Sequence, residues 1–188
     1  MVKNKTYNNV VNTLLRLGEY HGQISTTSVG DIFDIDLEKN TKFPLLHINP
    51  TNVSTGDSQL TYNFQIFIMD MVTEKANWTT NRSEIVSPSV DDFTKLVKTL
   101  SNEQDVLNEM LQVCTDFIGM LRHSAQQSLL GTNDINEPIY FTQDQFTIEP
   151  FSERFDNLCC GWVFNIGVLV QNDFQTCDIP VNIRGAGY

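Results

Sequence analysis

Between Tyr7 and Tyr20 the apolar residues Val10, Val11, Leu14, Leu15 and Leu17 recur at the spacing of one helix face, and Gly18 and Gly22 follow as stop signals. The pattern predicts an amphipathic opening helix. Then the periodicity changes. Ile32 and Leu37, the run Leu45-Leu46-His47-Ile48 and the run from Leu60 to Val72 are rich in β-branched and aromatic residues, with Asn49-Pro50 and Ser54-Thr55-Gly56-Asp57 reading as turns between them. Three strands are expected here. In the third, Tyr62, Phe64, Ile66 and Ile68 alternate with Asn63, Gln65, Phe67 and Met69. The second set turns apolar along its length, so the strand is expected to be covered on both faces toward its C-terminal end.

From Thr73 to Leu100 the chain is first polar and then carries a short amphipathic piece with Phe93, Leu96, Val97 and Leu100. Connections this long are uncommon unless they bind something, so 73–100 is read as an inserted lobe or long loop, and Trp78 and Arg82 within it as contact candidates. The strongest periodic signal follows. Leu107, Met110, Leu111, Cys114, Phe117, Ile118 and Leu121 form one apolar stripe over four turns, preceded by Ser101 and Gln104 at capping-box spacing. A long helix packed on a sheet is the expectation. After a turn over Asn133 to Pro138, the segment from Ile139 through Ile148 and the run from Gly161 to Val170 read as two further strands. The order α-β-β-β-α-β-β, with strands grouped on either side of one long helix, argues for a single α+β domain over 1–188, its sheet mainly antiparallel and its helices on one face.

Composition narrows the range of functions. The 188 residues are 40% hydrophobic and 19% charged, which suits a folded domain. Twelve basic against 23 acidic residues give a formal charge of -11, the wrong sign for gripping a phosphate backbone. The imbalance is concentrated. From Ser101 onward only Arg122, Arg154 and Arg184 are basic, against twelve acids, so that half repels DNA or simply keeps the protein soluble. If DNA passes along this protein, the wall is expected to be acidic or neutral, with the few basic contacts drawn from Lys39, Lys42, Lys75, Lys95 and Lys98.

Candidate chemistry is sparse. Cys114, Cys159, Cys160 and Cys177 include no C-x-x-C pair and no histidine at ligand spacing, so no metal site is expected. Cys159 and Cys160 should point to opposite faces of a strand, and Cys114 sits on the helix stripe as a small hydrophobe. Buried, reduced thiols fit a chain made in a cytoplasm. His21, His47 and His123 have no neighbouring nucleophile in a known elbow, and His47 and His123 are read as structural. Asp34 and Asp36 flank Ile35 and would share one strand face, which is either a carboxylate pair for a small hydrolase or an ordinary polar face. No glycine-rich nucleotide cradle is present, so no cofactor is expected. No stretch has the length of a membrane span.

Several segments taken together carry a resemblance: His21-Gly22-Gln23-Ile24, Gly30-Asp31-Ile32-Phe33-Asp34-Ile35, Phe43-Pro44-Leu45-Leu46-His47-Ile48, Tyr62 to Asp70, Glu103 to Leu111, Glu149 to Asp156 leading to Gly161-Trp162, and Cys177-Asp178-Ile179-Pro180. In order and spacing the chain resembles neck and tail proteins of short-tailed, crAss-like bacteriophages. The resemblance implies a tail-terminator-like or tail-completion-like α+β subunit, not an enzyme, that forms a homo-oligomeric ring below the portal. Twelve subunits are favoured over six. The implied partners are a portal or adaptor ring, other tail proteins, and genomic DNA that passes through without sequence-specific binding. The implied location is the virion neck or tail, with assembly in the cytoplasm of the bacterial host. Trp78, Arg82, Arg184 and Tyr188 are the candidate contacts between subunits. The alternatives are a small hydrolase using Asp34 and Asp36, or a capsid-decorating or host-interaction protein.

Overall fold

A computed structural model describes residues 7–32, 35, 41–73, 102–127, 140–143, 145–154 and 158–171. Helix α1 spans Tyr7–Tyr20, as its apolar spacing predicts, and buries Val10, Val11, Leu14 and Leu17. Strands β1 (Thr26–Val29), β2 (Leu45–Thr55) and β3 (Gln59–Met71) follow, then helix α2 (Glu103–Gln127) and strands β4 (Tyr140–Thr142), β5 (Ile148–Arg154) and β6 (Leu158–Gln171). The described residues form an α+β fold with two helices and one curled mixed sheet.

The sheet runs β1-β2-β3-β6-β4, with β5 also paired to β6. Among the described strands only β1 and β2 are parallel; the other pairings are antiparallel. Three strands follow α2 where two were expected, because the segment from Ile139 to Ile148 ends one strand at Thr142 and begins another at Ile148. Both lie beside β6, β4 against its C-terminal end and β5 against its N-terminal part.

Two other expectations are corrected. The first strand of the described residues lies at Thr26–Val29 and Ile32 stands outside it, while Leu37 lies outside the described residues. It is a half-buried strand of polar and β-branched residues, so it lacks the apolar run that flags a strand, while Ile32 and Ile35 pack beneath the sheet. Asn49-Pro50 lies inside β2 and is not a turn. Pro50 costs no ladder bond there, because β1 pairs only as far as Ile48 and the register shifts between Pro50 and Asn52.

Both helices cover the same face of the sheet. Their apolar stripes meet Leu46, Ile48, Tyr62, Phe64, Ile66 and Ile68 together with Cys160, Phe164, Ile166 and Val168 in the main core. The stripe of α2 is wider than the seven positions read from the spacing, since Val106 and Val113 are buried too, whereas Leu107 and Leu111 are half-buried. Ser101 lies outside the described residues, and Asn102 stands just before α2, its carbonyl accepting from Val106 N at 3.0 Å. Two glycines allow close approach. A Cβ on Gly18 would lie 2.8 Å from Thr27 Cγ2, between α1 and β1, and one on Gly161 would overlap the Ile68 carbonyl oxygen and lie 2.7 Å from Met69 Cα.

On the opposite face a smaller cluster forms from Leu45, Phe67, Met69 and Cys159, with Ile32, Ile35, Phe43, Phe151 and Val163 against it. The third strand is therefore covered on both faces toward its C-terminal end, as its alternation predicts. Of the expected 73–100 insertion, only Thr73 is described; its N–H donates to Asn102 Oδ1 at 2.7 Å, just ahead of α2.

Candidate assembly surface and the buried histidine

The candidate contacts Trp78, Arg82, Arg184 and Tyr188 all lie outside the described residues, as do Asp34, Asp36, Cys177 and the lysines of the expected channel wall apart from Lys42. The histidines are placed. His123 is exposed on α2. His21 follows α1, with Nε2 3.8 Å from Asp116 Oδ2 on α2 and Nδ1 accepting from Gln23 N at 3.3 Å.

His47 is 2% exposed. The parallel register sets it directly beside Ser28, whose Oγ lies 2.8 Å from Nδ1. After β1 the chain turns at Gly30 with φ of 149°, a left-handed value that favours glycine, and the Gly30 carbonyl returns to within 3.1 Å of Nε2. A carbonyl only accepts, so Nε2 carries the proton, Nδ1 is the acceptor, and Ser28 Oγ–H donates. Burial holds the imidazole below its ordinary pKa, against the opposing effects of the Gly30 hydrogen bond and the Asp31 charge. The two bonds fasten edge strand β1 and its following turn to β2. A cavity of about 140 Å³ adjoins the pair, walled in part by Thr26, Asp31, Ile35 and Thr41.

The thiols behave as small buried hydrophobes. Cys160 belongs to the helix-side core and Cys159 to the opposite cluster, as adjacent strand residues must. Burial pushes Cys114 and Cys160 up to about 12 and Cys159 to about 11. Among the described residues no cluster of three or more His, Cys, Asp or Glu could hold a metal ion, and no helix is long and apolar enough to cross a membrane.

The other notable surface is the far half of the sheet, around the β2–β3 hairpin. From Thr51 through Gln59 every residue is exposed. Register places Asn52 beside Asn63, and Ser54 beside Thr61, on the face away from the helices, with Gln65 beside Asn165 and Gln59 beside Gln171 on that same face. Asn63 Nδ2 donates to Asn52 Oδ1 at 2.7 Å, and Gln143 Nε2 donates to the main-chain carbonyl of Asn165 at 2.9 Å. Phe141 on β4 extends this face and is 50% exposed. None of these paired residues is charged, in a chain of formal charge -11; Asp57 stands apart at the hairpin tip. The alternation of Asn63 and Gln65 was visible in the sequence. That Asn52, Asn165 and Gln171 join them depends on strand pairing, which no local pattern encodes.

No protein-family model matches the chain, and no curated protein matches it.

Proposed function

We propose that this chain is a structural, non-enzymatic ring subunit of a phage head-to-tail neck or tail, extending the portal channel through which DNA is packaged and ejected. One observation carries the reading beyond the resemblance. The described surface that stands out is the broad, uncharged amide and hydroxyl sheet face around the β2–β3 hairpin, in a strongly acidic protein. Such a face suits a wall along which DNA moves. Its paired amide and hydroxyl rows hold no lysine or arginine to neutralise phosphate and so add nothing to salt-dependent affinity, and no carboxylate to repel a polyanion at short range, with Asp57 at the hairpin tip and Glu149 on β5 standing at the margin. The helices on the other face leave it open within the described fold.

The polar side chains inside the fold are occupied structurally, which also fits a scaffold. His47 has both ring nitrogens engaged, and the three described thiols are buried. The reading places the protein in the virion, with a portal or adaptor ring and other tail proteins as neighbours. The mass of the purified chain in solution tests it. Light scattering should give a closed multiple of the 21.4 kDa subunit, twelve-fold or six-fold. A monodisperse monomer across the whole accessible concentration range would overturn the reading.

A further inference from the structure

Resting on the ring reading, we infer that subunits join by continuing the sheet, with the β2 edge of one copy pairing antiparallel with the β4 edge of the next. Beyond Ile48, β2 has no strand on its outer side among the described residues, because β1 stops there. At the other side of the sheet β4 is likewise terminal over Tyr140–Thr142.

Three features make these edges complementary. The first is level. Ser54 and Phe141 stand in one row, linked through Thr61 and Leu169, and the same register sets Val53 level with Thr142 and Thr55 level with Tyr140. A second copy can therefore add without a step along the strand axis.

The second is direction. At this end the sheet is four strands wide, β2-β3-β6-β4, and every neighbouring pair is antiparallel. With an even number of alternating strands, β4 runs opposite to β2. A translated or rotated copy thus presents its β2 to β4 in the antiparallel sense, which is the better hydrogen-bonded one. The contact is head-to-tail, the type that closes into rings.

The third is chemistry. Exposed edges are ordinarily blunted by charge, proline or a bulge. Here Pro50 and the register shift stop short of Asn52, and from Asn52 through Thr55 and from Tyr140 through Thr142 no side chain is charged. Each edge also carries an exposed apolar residue, Val53 at 51% and Phe141 at 50%. Closing such a sheet puts both helices on one side of the wall and the amide face on the other.

The experiment is disulfide trapping of the full chain. Ser54→Cys and Phe141→Cys are made singly and together, then mildly oxidised and run on a denaturing, non-reducing gel. Residues opposed across an antiparallel pair have Cα atoms about 4.5–5.5 Å apart, within disulfide reach. The double variant should give a ladder of covalent multiples, and neither single variant should. Val53→Pro removes an outward-facing edge donor at an exposed position, because the Gly56 N–H donates to the Gln59 carbonyl and the alternation from there makes Ser54–Thr61 a bonded pair of the hairpin and Val53–Tyr62 a non-bonded one. It should raise the concentration needed for assembly at least tenfold with an unchanged circular dichroism spectrum. If the wild type assembles while the double variant gives no ladder and Val53→Pro assembles as the wild type does, the edges are not joined and this inference falls, while the ring reading stands. If the wild type itself stays monomeric, the ring reading has failed.

Discussion

The indole Nε1–H of Trp162, on β6, donates to the Leu107 carbonyl in α2 at 2.7 Å. It ties the helix near its start to the strand that also carries β3, β4 and β5. The cross-link depends on the indole, because no other aromatic side chain offers a donor at that position. Trp162→Phe keeps a large apolar ring and loses the bond, so it should destabilise the fold by about 1 kcal/mol. Urea unfolding checks this, and an unchanged midpoint would show that the bond contributes nothing.

Phe117 is fully buried in α2 with its ring 6.3 Å from that of Phe164. Phe117→Ala should cost about 3–5 kcal/mol through lost burial and the cavity left behind. Thermal unfolding reads it directly. A variant that melts with the wild type would mean that α2 does not bury this stripe.

Gly161 allows β6 to pass against β3 where no side chain fits. Gly161→Ala should therefore cost about 3 kcal/mol, more than a typical glycine replacement in a strand, which relieves backbone entropy instead. Comparison with Gly22→Ala, where an added Cβ meets nothing within 4 Å, separates crowding from the general effect of removing a glycine.

His47 gives the fold a pH dependence of defined sign. Its pKa in the folded protein lies below the ordinary 6.5, so the unfolded chain binds more protons in the interval between the two values. Stability from this residue is complete above 6.5 and declines as pH falls through and below that value. Asp70, whose carboxyl is raised chiefly by burial, acts with the opposite sign in the more acidic carboxylate range. Chemical denaturation from about pH 8 down to about pH 5.5 should show the decline, and His47→Gln should flatten it. Parallel curves for the two proteins would contradict the assignment.

The local elements were legible wherever one side of the chain is apolar. Helix α1, the stripe of α2 and the two-faced character of β3 follow from spacing alone, and adjacent Cys159 and Cys160 divide between the two faces as strand geometry requires. What could not be read is of another kind. β1 is built from Thr26, Thr27, Ser28 and Val29 and is recognisable only through its pairing with Leu45–Ile48. Asn49-Pro50 has the composition of a turn, yet the missing N–H of Pro50 is harmless where β2 has no outer partner. The fastening of His47 by Ser28 joins residues 19 positions apart, and the amide face needs three strands in register. These features belong to the pairing of strands, whereas the sequence pattern reports one strand at a time.

Burial also predicts the reactivity of the thiols. With Cys114, Cys159 and Cys160 buried and pushed to about 11 or 12, the reactive thiolate is scarce at neutral pH. Site-resolved mass spectrometry after iodoacetamide treatment should find these three unmodified in the native protein and alkylated after unfolding. Rapid native labelling of any of them would place it at the surface.

The central claim, that this chain is a ring-forming wall, is tested most directly by electron microscopy of the purified protein. Averaged end-on views should show closed rings with one rotational symmetry and an open bore, and a map should place Asn63, Gln65 and Asn165 on the bore side with α1 and α2 outside. Images that contain only single subunits would contradict the claim, as would closed rings whose bore is lined by the helices or mainly by lysine and arginine.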